Sequence, residues 1–198
     1  MVCLGLGNPG REYLQTRHNV GFWLADILAA SLSINLKAAF FKPYALGTGS
    51  VFDGHVLTLV KPQTFMNRSG EIFSANPNLL PANDKLVMVF CDQMDLPAGT
   101  LRLKNRGGTA GHNGLKSISQ AIGANFLPLY IGIGRPEIGE DVISHVLGQP
   151  SAADQALIEA ALDRVLPGLD ILFHHGIEPA MSFLNQRPAN VATNIREP

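Results

Sequence analysis

Five side chains of this 198-residue chain have the types that hydrolysis needs: His18, Asp92, and the asparagines Asn8, Asn67 and Asn113. His18 sits in the polar stretch TRHN, just ahead of a helical pattern, where a lone histidine is more often a surface or packing residue than a base. Polar residues at the ends of other apolar runs shift the balance. Asp92 closes the most apolar run of the chain, within KLVMVFCDQMDL, and Asn67 follows HVLTLVKP, flanked by Phe65 and Met66. In open α/β sheets, functional groups gather beyond the carboxyl ends of strands. From such a place Asp92 could orient a histidine, as a buried carboxylate does when it fixes a tautomer. The plain alternative is a turn residue capping MDLPAG. A histidine near neutral pKa is a competent base for water, and amide donors can stabilise a developing oxyanion.

Two glycine-rich stretches frame these residues. In KNRGGTAGHNGLKSI, four glycines surround His112 and Asn113 and a helical pattern follows. Glycines let backbone approach a ligand and a helix N-terminus favours anions, so a phosphate or ribose end would fit there. The stretch lacks the GK[ST] ending of a P-loop. The opening run VCLGLGNPG holds Gly5, Gly7 and Gly10 in the G-x-G-x-x-G spacing of a dinucleotide loop. The context is wrong for that: REYLQTRHN has no apolar stripe at helical spacing. Asp26, at the right distance to hold a ribose, falls inside a predicted helix. The glycines instead predict a tight turn that presents Asn8 and then a loop ending at His18 and Asn19.

Other chemistries find no support. There is no G-x-S-x-G nucleophile elbow, no H-E-x-x-H and no paired C-x-x-C, so no metal is expected. His174 and His175 are adjacent near a helix end and read as surface residues. Strand alternation puts Cys91 on the face opposite Asp92, which argues against a cysteine nucleophile. The two cysteines lie in apolar runs and no export signal is apparent, which predicts buried thiols in a reducing cytoplasm.

Net charge is −1. Its distribution is lopsided: residues 1–136 carry twelve Lys and Arg against seven Asp and Glu, residues 137–198 three against nine. From Leu96 to Pro136 there is no acid, while Arg102, Lys104, Arg106, Lys116 and Arg135 all fall there. Such a stretch can attract phosphate when the whole chain cannot, although an ordinary solvated face would look the same.

Elements able to position these groups are legible. Apolar runs at VCLGLG, AFFKPYALGTGSVF, HVLTLVKP, KLVMVFCDQMDL, GTLRLK and PLYIGIG predict strands, several of them too apolar for a sheet edge. Helical spacing fits NVGFWLADILAASL, with Val20, Trp23, Leu24, Ile27 and Leu28 on one side, and HNGLKSISQAIG. A short helix is expected in NRSGEIFSAN and two acidic-faced ones near 151–166 and 168–185. The alternation predicts a single α/β domain, a mixed β-sheet sandwiched between helices, over residues 1–186. Residues 187–198 read as a polar tail. No window is long enough for a membrane span.

Taken together, GLGNPGREYLQTRHNVGF, KPQTFMNRSG, DQMDLPAGTLRLK, GTAGHNGLKSI, IGIGRP and VLGQP, in this order, closely resemble the bacterial-type peptidyl-tRNA hydrolase family over residues 2 to 186. The resemblance implies a monomeric, cofactor-free and metal-free α/β enzyme. Its reaction would be hydrolysis of the ester joining a peptide to the terminal ribose of tRNA. By position it makes His18 the general base and Asp92 its orienting carboxylate. Asn8, Asn67 and Asn113 become amides holding peptide, ester and water. Tyr13 and Met66 would line the cleft, and His112 and Lys104 would lie near the tRNA end. Two departures stand out: Tyr130 replaces an arginine before IGIG that the family associates with a tRNA phosphate, and TAG leads into GHNG in place of a serine-and-glycine lead. Non-catalytic RNA-binding relatives of this fold, and a general esterase or peptidase using the same histidine, are the rival readings. Retention of His18, Asp92 and all three asparagines favours the hydrolase.

Overall fold

The chain begins with β1 (Val2–Gly5), buried along its length, and two turns of 3₁₀ helix (Arg11–Tyr13 and Arg17–Asn19) lead into α1 (Val20–Ser31). A computed structural model describes residues 1–38, 40–82 and 85–186; the polar tail expected over 187–198 lies outside the described residues. There follow β2 (Lys37–Ala38), β3 (Tyr44–Val51), β4 (His55–Pro62), α2 (Glu71–Ala75), β5 (Val87–Gln93) and β6 (Leu101–Leu103). The second half brings α3 (Asn113–Ile122), β7 (Leu127–Gly132), α4 (Val142–Leu147), α5 (Ala152–Leu162), α6 (Val165–His175) and α7 (Ile177–Leu184).

The described strands form one sheet in the order β2-β3-β4-β1-β5-β7-β6. Its centre, β4-β1-β5-β7, is parallel, and antiparallel pairs close both sides. Strand alternation splits the core into two layers. Cys3, Met88 and Phe90 point to the face covered by α1, α5, α6 and α7. Val2, Leu4, Val89 and Cys91 point to the face covered by α2 and α3. The expected mixed sheet between helices is what forms. From β1 the chain pairs first to one side, with β4, and then to the other, with β5. The carboxyl ends of these three strands therefore meet at a topological switch point.

The opening glycines serve packing. A Cβ on Gly21 would lie 2.5 Å from the carbonyl oxygens of Leu6 and Phe90, and one on Gly5 would collide with the carbonyl of Gly21. Helix α1 thus rests backbone to backbone on β1 and β5. Asp26 lies within α1 and pairs with Lys61 at 2.6 Å, so it holds no ribose.

Several boundaries differ from the sequence expectation. AFFKPYALGTGSVF is not one strand: β3 starts only at Tyr44, because Phe41 has φ +59° and Pro43 cannot donate to a ladder. Phe40 and Phe41 project into solvent, Phe41 94 % exposed. On α1 the buried face is Val20, Leu24, Ala25 and Leu28 with Gly21, whereas Trp23 and Ile27 flank it. The two helices expected at 151–166 and 168–185 are three, since the chain turns between Leu162 and Val165 and breaks again at Gly176. Beyond α7, the side chain of Asn185 accepts from the amide of Leu103 at 2.6 Å and donates to its carbonyl at 3.1 Å, along the outer edge of β6.

Candidate functional site

The turn after β1 is built to hold Asn8 and His18 in place. Asn19, 1 % exposed, accepts from the Asn8 amide at 2.8 Å and donates to the Asn8 carbonyl at 3.0 Å. The Trp23 indole donates to the carbonyl of Leu14 at 2.7 Å, tying the loop to α1. Asn8 in turn accepts the Met66 amide on its Oδ1 at 2.8 Å. That bond consumes the carbonyl end of Asn8 and leaves its NH₂ as the group with hydrogens to offer. Met66 is buried and Asn67 exposed in the turn Met66–Arg68, which is braced against α3 because the Ser117 hydroxyl accepts from the Gly70 amide at 2.9 Å.

Asp92, 3 % exposed at the end of β5, receives two histidines on one oxygen. His18 Nδ1 lies 2.8 Å and His112 Nε2 2.9 Å from Oδ1. Burial alone would raise this carboxyl; the neighbouring imidazoles of His112 and His18, by charge and hydrogen bonding, outweigh it and hold the group well below the usual carboxylate range. An ionised carboxylate only accepts, so both ring nitrogens that face it carry hydrogen. In the neutral His18 ring the lone pair then falls on Nε2.

The family resemblance implies a place near the tRNA end for His112; in the structure its ring contacts Asp92. His112 precedes α3 and its Nδ1 accepts from the amides of Gly114 and Leu115 at 3.1 and 3.3 Å, capping that helix with an imidazole. The close seat of α3 depends on Gly114, where a Cβ would lie 2.6 Å from Met66 Sδ and 2.8 Å from Leu6. Asn113 follows, exposed, as the first residue of α3.

Lys104 lies just beyond β6, the edge strand separated from β5 by β7. Its Nζ sits 5.4 Å from the ring centroid of Tyr130. Tyr130 is 2 % exposed and its hydroxyl donates to the carbonyl of Gly108 at 3.1 Å. Burial, with the neighbouring Cys91, pushes the phenol up to about 12. Arg102 pairs in register with Tyr130, and exposed Arg135 is paired with Asp95 at 2.8 Å. Tyr13 ends the first 3₁₀ turn, half-buried. Cys91 faces the α2/α3 layer and burial holds its thiol well above its ordinary value, which suits a packing residue and not a nucleophile.

His18, Asp92 and His112 each offer one atom within 4.8 Å of the others, a ligand trio that their sequence separations conceal. The donor chemistry opposes a metal there. With Nδ1 already accepting two amides, His112 could ligate through Nε2 only as an imidazolate or by abandoning its cap.

Sequence reasoning placed Asn19 only at a loop end and missed its bonds to Asn8, and it missed the pairing of His112 with Asp92. It also missed α4 and its contact with the site: Arg17 donates to the carbonyl of His145 at 3.1 Å, and its own amide to Gly148 at 3.0 Å.

Comparison with known proteins adds a common thread. The model of the family described as peptidyl-tRNA hydrolase matches residues 2–192. A peptidyl-tRNA hydrolase of Actinobacillus succinogenes is 43 % identical over 188 residues, covering 93 % of this chain and 95 % of that one. One from Acinetobacter baumannii is 40 % identical over 184 residues, with the same coverages. Among solved structures, a peptidyl-tRNA hydrolase complexed with N-propanol superposes with a TM-score of 0.86 at 39 % identity over 95 % of both chains. The enzyme from Acinetobacter baumannii superposes at 0.84 with 40 % identity over 93 % of both.

Proposed function

Since the chain belongs to the peptidyl-tRNA hydrolase family, we propose that it cleaves the ester between peptide and tRNA with water activated by His18. The observation that carries the mechanism is the 2.8 Å contact of His18 Nδ1 with the buried carboxylate of Asp92. It fixes the tautomer in which Nε2 can take a proton from water.

The water oxygen then bonds to the ester carbonyl carbon, and the proton moves to Nε2. The imidazolium so formed is stabilised by Asp92, and the tetrahedral oxyanion by amide donors, for which the Asn8 NH₂ and the exposed side chains of Asn67 and Asn113 are available. Collapse breaks the bond to the ribose oxygen, which recovers the proton from His18 and leaves as the tRNA hydroxyl. Met66 and Tyr13 shape the cleft on the peptide side, and Lys104 supplies a cation to the tRNA. This reading includes a monomer acting in the cytoplasm without a metal or organic cofactor. It agrees with two buried free thiols, and no helix among the described residues is long and apolar enough to cross a membrane.

The test is parallel incubation with N-blocked aminoacyl-tRNA, unblocked aminoacyl-tRNA and a simple ester. Cleavage of the first alone is expected. Binding of tRNA without turnover would favour a non-catalytic RNA-binding role, and equal cleavage of the simple ester a general esterase.

A further inference from the structure

We infer that His112 serves the reaction as a positioning residue, gripping the same oxygen of Asp92 that His18 contacts, and not as a contact to tRNA. The inference rests on the hydrolytic reading of His18 and Asp92. Its argument begins with the two nitrogens of one ring. A ring nitrogen that accepts two backbone amides, as Nδ1 does from Gly114 and Leu115, has no hydrogen of its own. The neutral ring must then carry its hydrogen on Nε2, which lies 2.9 Å from Asp92 Oδ1. The helix cap selects the tautomer, and the tautomer makes His112 a donor to the carboxylate.

The geometry gives that donor a task. With His18 alone, the carboxylate of Asp92 could still swing about its terminal torsion, which is a broad, soft one. A second donor on the same oxygen removes that freedom. The two rings are tilted 45° to each other with centroids 5.2 Å apart, so they meet at the oxygen without stacking. They also arrive from opposite layers, His18 ahead of α1 and His112 ahead of α3. The His112 side chain is only 7 % exposed, which leaves little of it for an incoming ligand. Because α3 also begins with Asn113 and braces the Met66–Gly70 turn through Ser117, its seating sets the base, one amide donor and the neighbouring loop together.

Two substitutions separate the halves of the ring. In His112→Asn the amide oxygen can still cap α3, as asparagine does well, but the side chain is too short to reach Asp92. In His112→Gln an amide nitrogen replaces Nε2 while the short-range cap is lost. Losing an outer partner that orients a reacting group typically costs about 10–100-fold. We expect His112→Asn to stay folded with α3 capped, to melt below wild type because the bond to buried Asp92 is lost, and to lose kcat by about 10-fold or more. Its KM for full-length peptidyl-tRNA should stay within about twofold, with the same loss of kcat on an N-blocked aminoacyl ester of adenosine. His112→Gln should recover most of that kcat but also melt below wild type. Nitrogen NMR of ¹⁵N-histidine-labelled wild-type protein should show His112 as the Nε2–H tautomer. Wild-type kcat in His112→Asn, a defect confined to KM with full-length tRNA, or an Nδ1–H tautomer would each overturn the inference. A wild-type protein with the Nε2–H tautomer but no turnover fails the hydrolytic reading, and with it any role of His112 in catalysis, while its hold on Asp92 stands.

Discussion

His18 and Asp92 are 74 residues apart along the chain, yet Nδ1 of one lies 2.8 Å from Oδ1 of the other. One residue comes from the turn before α1 and the other from the end of β5. Their meeting is a property of the switch point between β1 and β5 and not of any local motif. If this pair drives hydrolysis, His18→Ala should lower turnover by about 10²–10⁴-fold with the fold intact. Asp92→Asn should be damaging but less so, since it disturbs orientation and leaves the base in place. Near wild-type hydrolysis of peptidyl-tRNA by His18→Ala would end this mechanism.

Asp92 should also shape acid stability. Its folded-state pKa is depressed, so it contributes stability that is present above its unfolded value of about 3.9 and is lost as pH falls through the folded value. Melting temperatures of wild type and Asp92→Asn, compared between pH 3 and 6, should differ by a constant amount at the upper end. The gap should narrow only below about pH 4. A gap that closes between pH 5 and 6 would mean the carboxylate is not held as its neighbours imply.

His174 predicts the opposite slope. A hydrogen bond to the Asp170 carbonyl and another to Asp53 raise its pKa. Its contribution is therefore fully present below the unfolded value, about 6.5, and fades as pH rises through the folded value. His174→Gln should melt below wild type at pH 5.5 and approach it by pH 8.5. A difference independent of pH would show that packing, not charge, ties α6 to the β3–β4 turn.

Lys104 and Tyr130 test how tRNA is held. Phosphate contacts give sequence-independent, salt-dependent affinity. Lys104→Ala should raise KM for full-length tRNA substrates far more than it lowers kcat, and leave a substrate cut to the terminal nucleotide nearly unaffected. Tyr130→Phe keeps the ring under Lys104 but removes the hydroxyl bond to Gly108, which should cost about 0.5–1.5 kcal/mol of stability. If Tyr130→Phe weakens tRNA binding as strongly as Lys104→Ala, the hydroxyl itself reaches the nucleic acid.

The seat of α1 can be challenged at Gly21. Alanine in a helix gains about 1 kcal/mol over glycine. Here its methyl would press on two backbone carbonyls that no rotamer change can move, and overpacking typically costs about 1–3 kcal/mol. Urea unfolding of Gly21→Ala should show net destabilisation. A stabilised variant would mean α1 shifts freely on the sheet.

Much of this molecule is legible in its sequence because the buried strands are apolar on both faces and α3 carries a clear stripe. The place of Asp92 and Asn67 follows from those strands alone. What is not legible follows from long-range seating. Nothing in the spacing of Asp92 and His112 says that α3 begins above the end of β5; that depends on Gly114 letting the helix settle onto Met66 and Leu6. Asn19 looks like any helix-entry asparagine until its side chain is seen bonded to both backbone groups of Asn8. Helix α4 has six residues, too few for a period to register, and only its cap, Asp141 accepting from the Ser144 amide, could have marked it.

The bond pair between Asn185 and Leu103 has a meaning beyond the packing of α7. An edge strand offers a free amide and carbonyl to any extended chain that drifts past, the first step of sheet-to-sheet association between molecules. At Leu103 a side-chain amide occupies both groups, imitating the next strand without being one. The sheet therefore ends at β6 in a residue that cannot be extended, and crowding finds no template at that position.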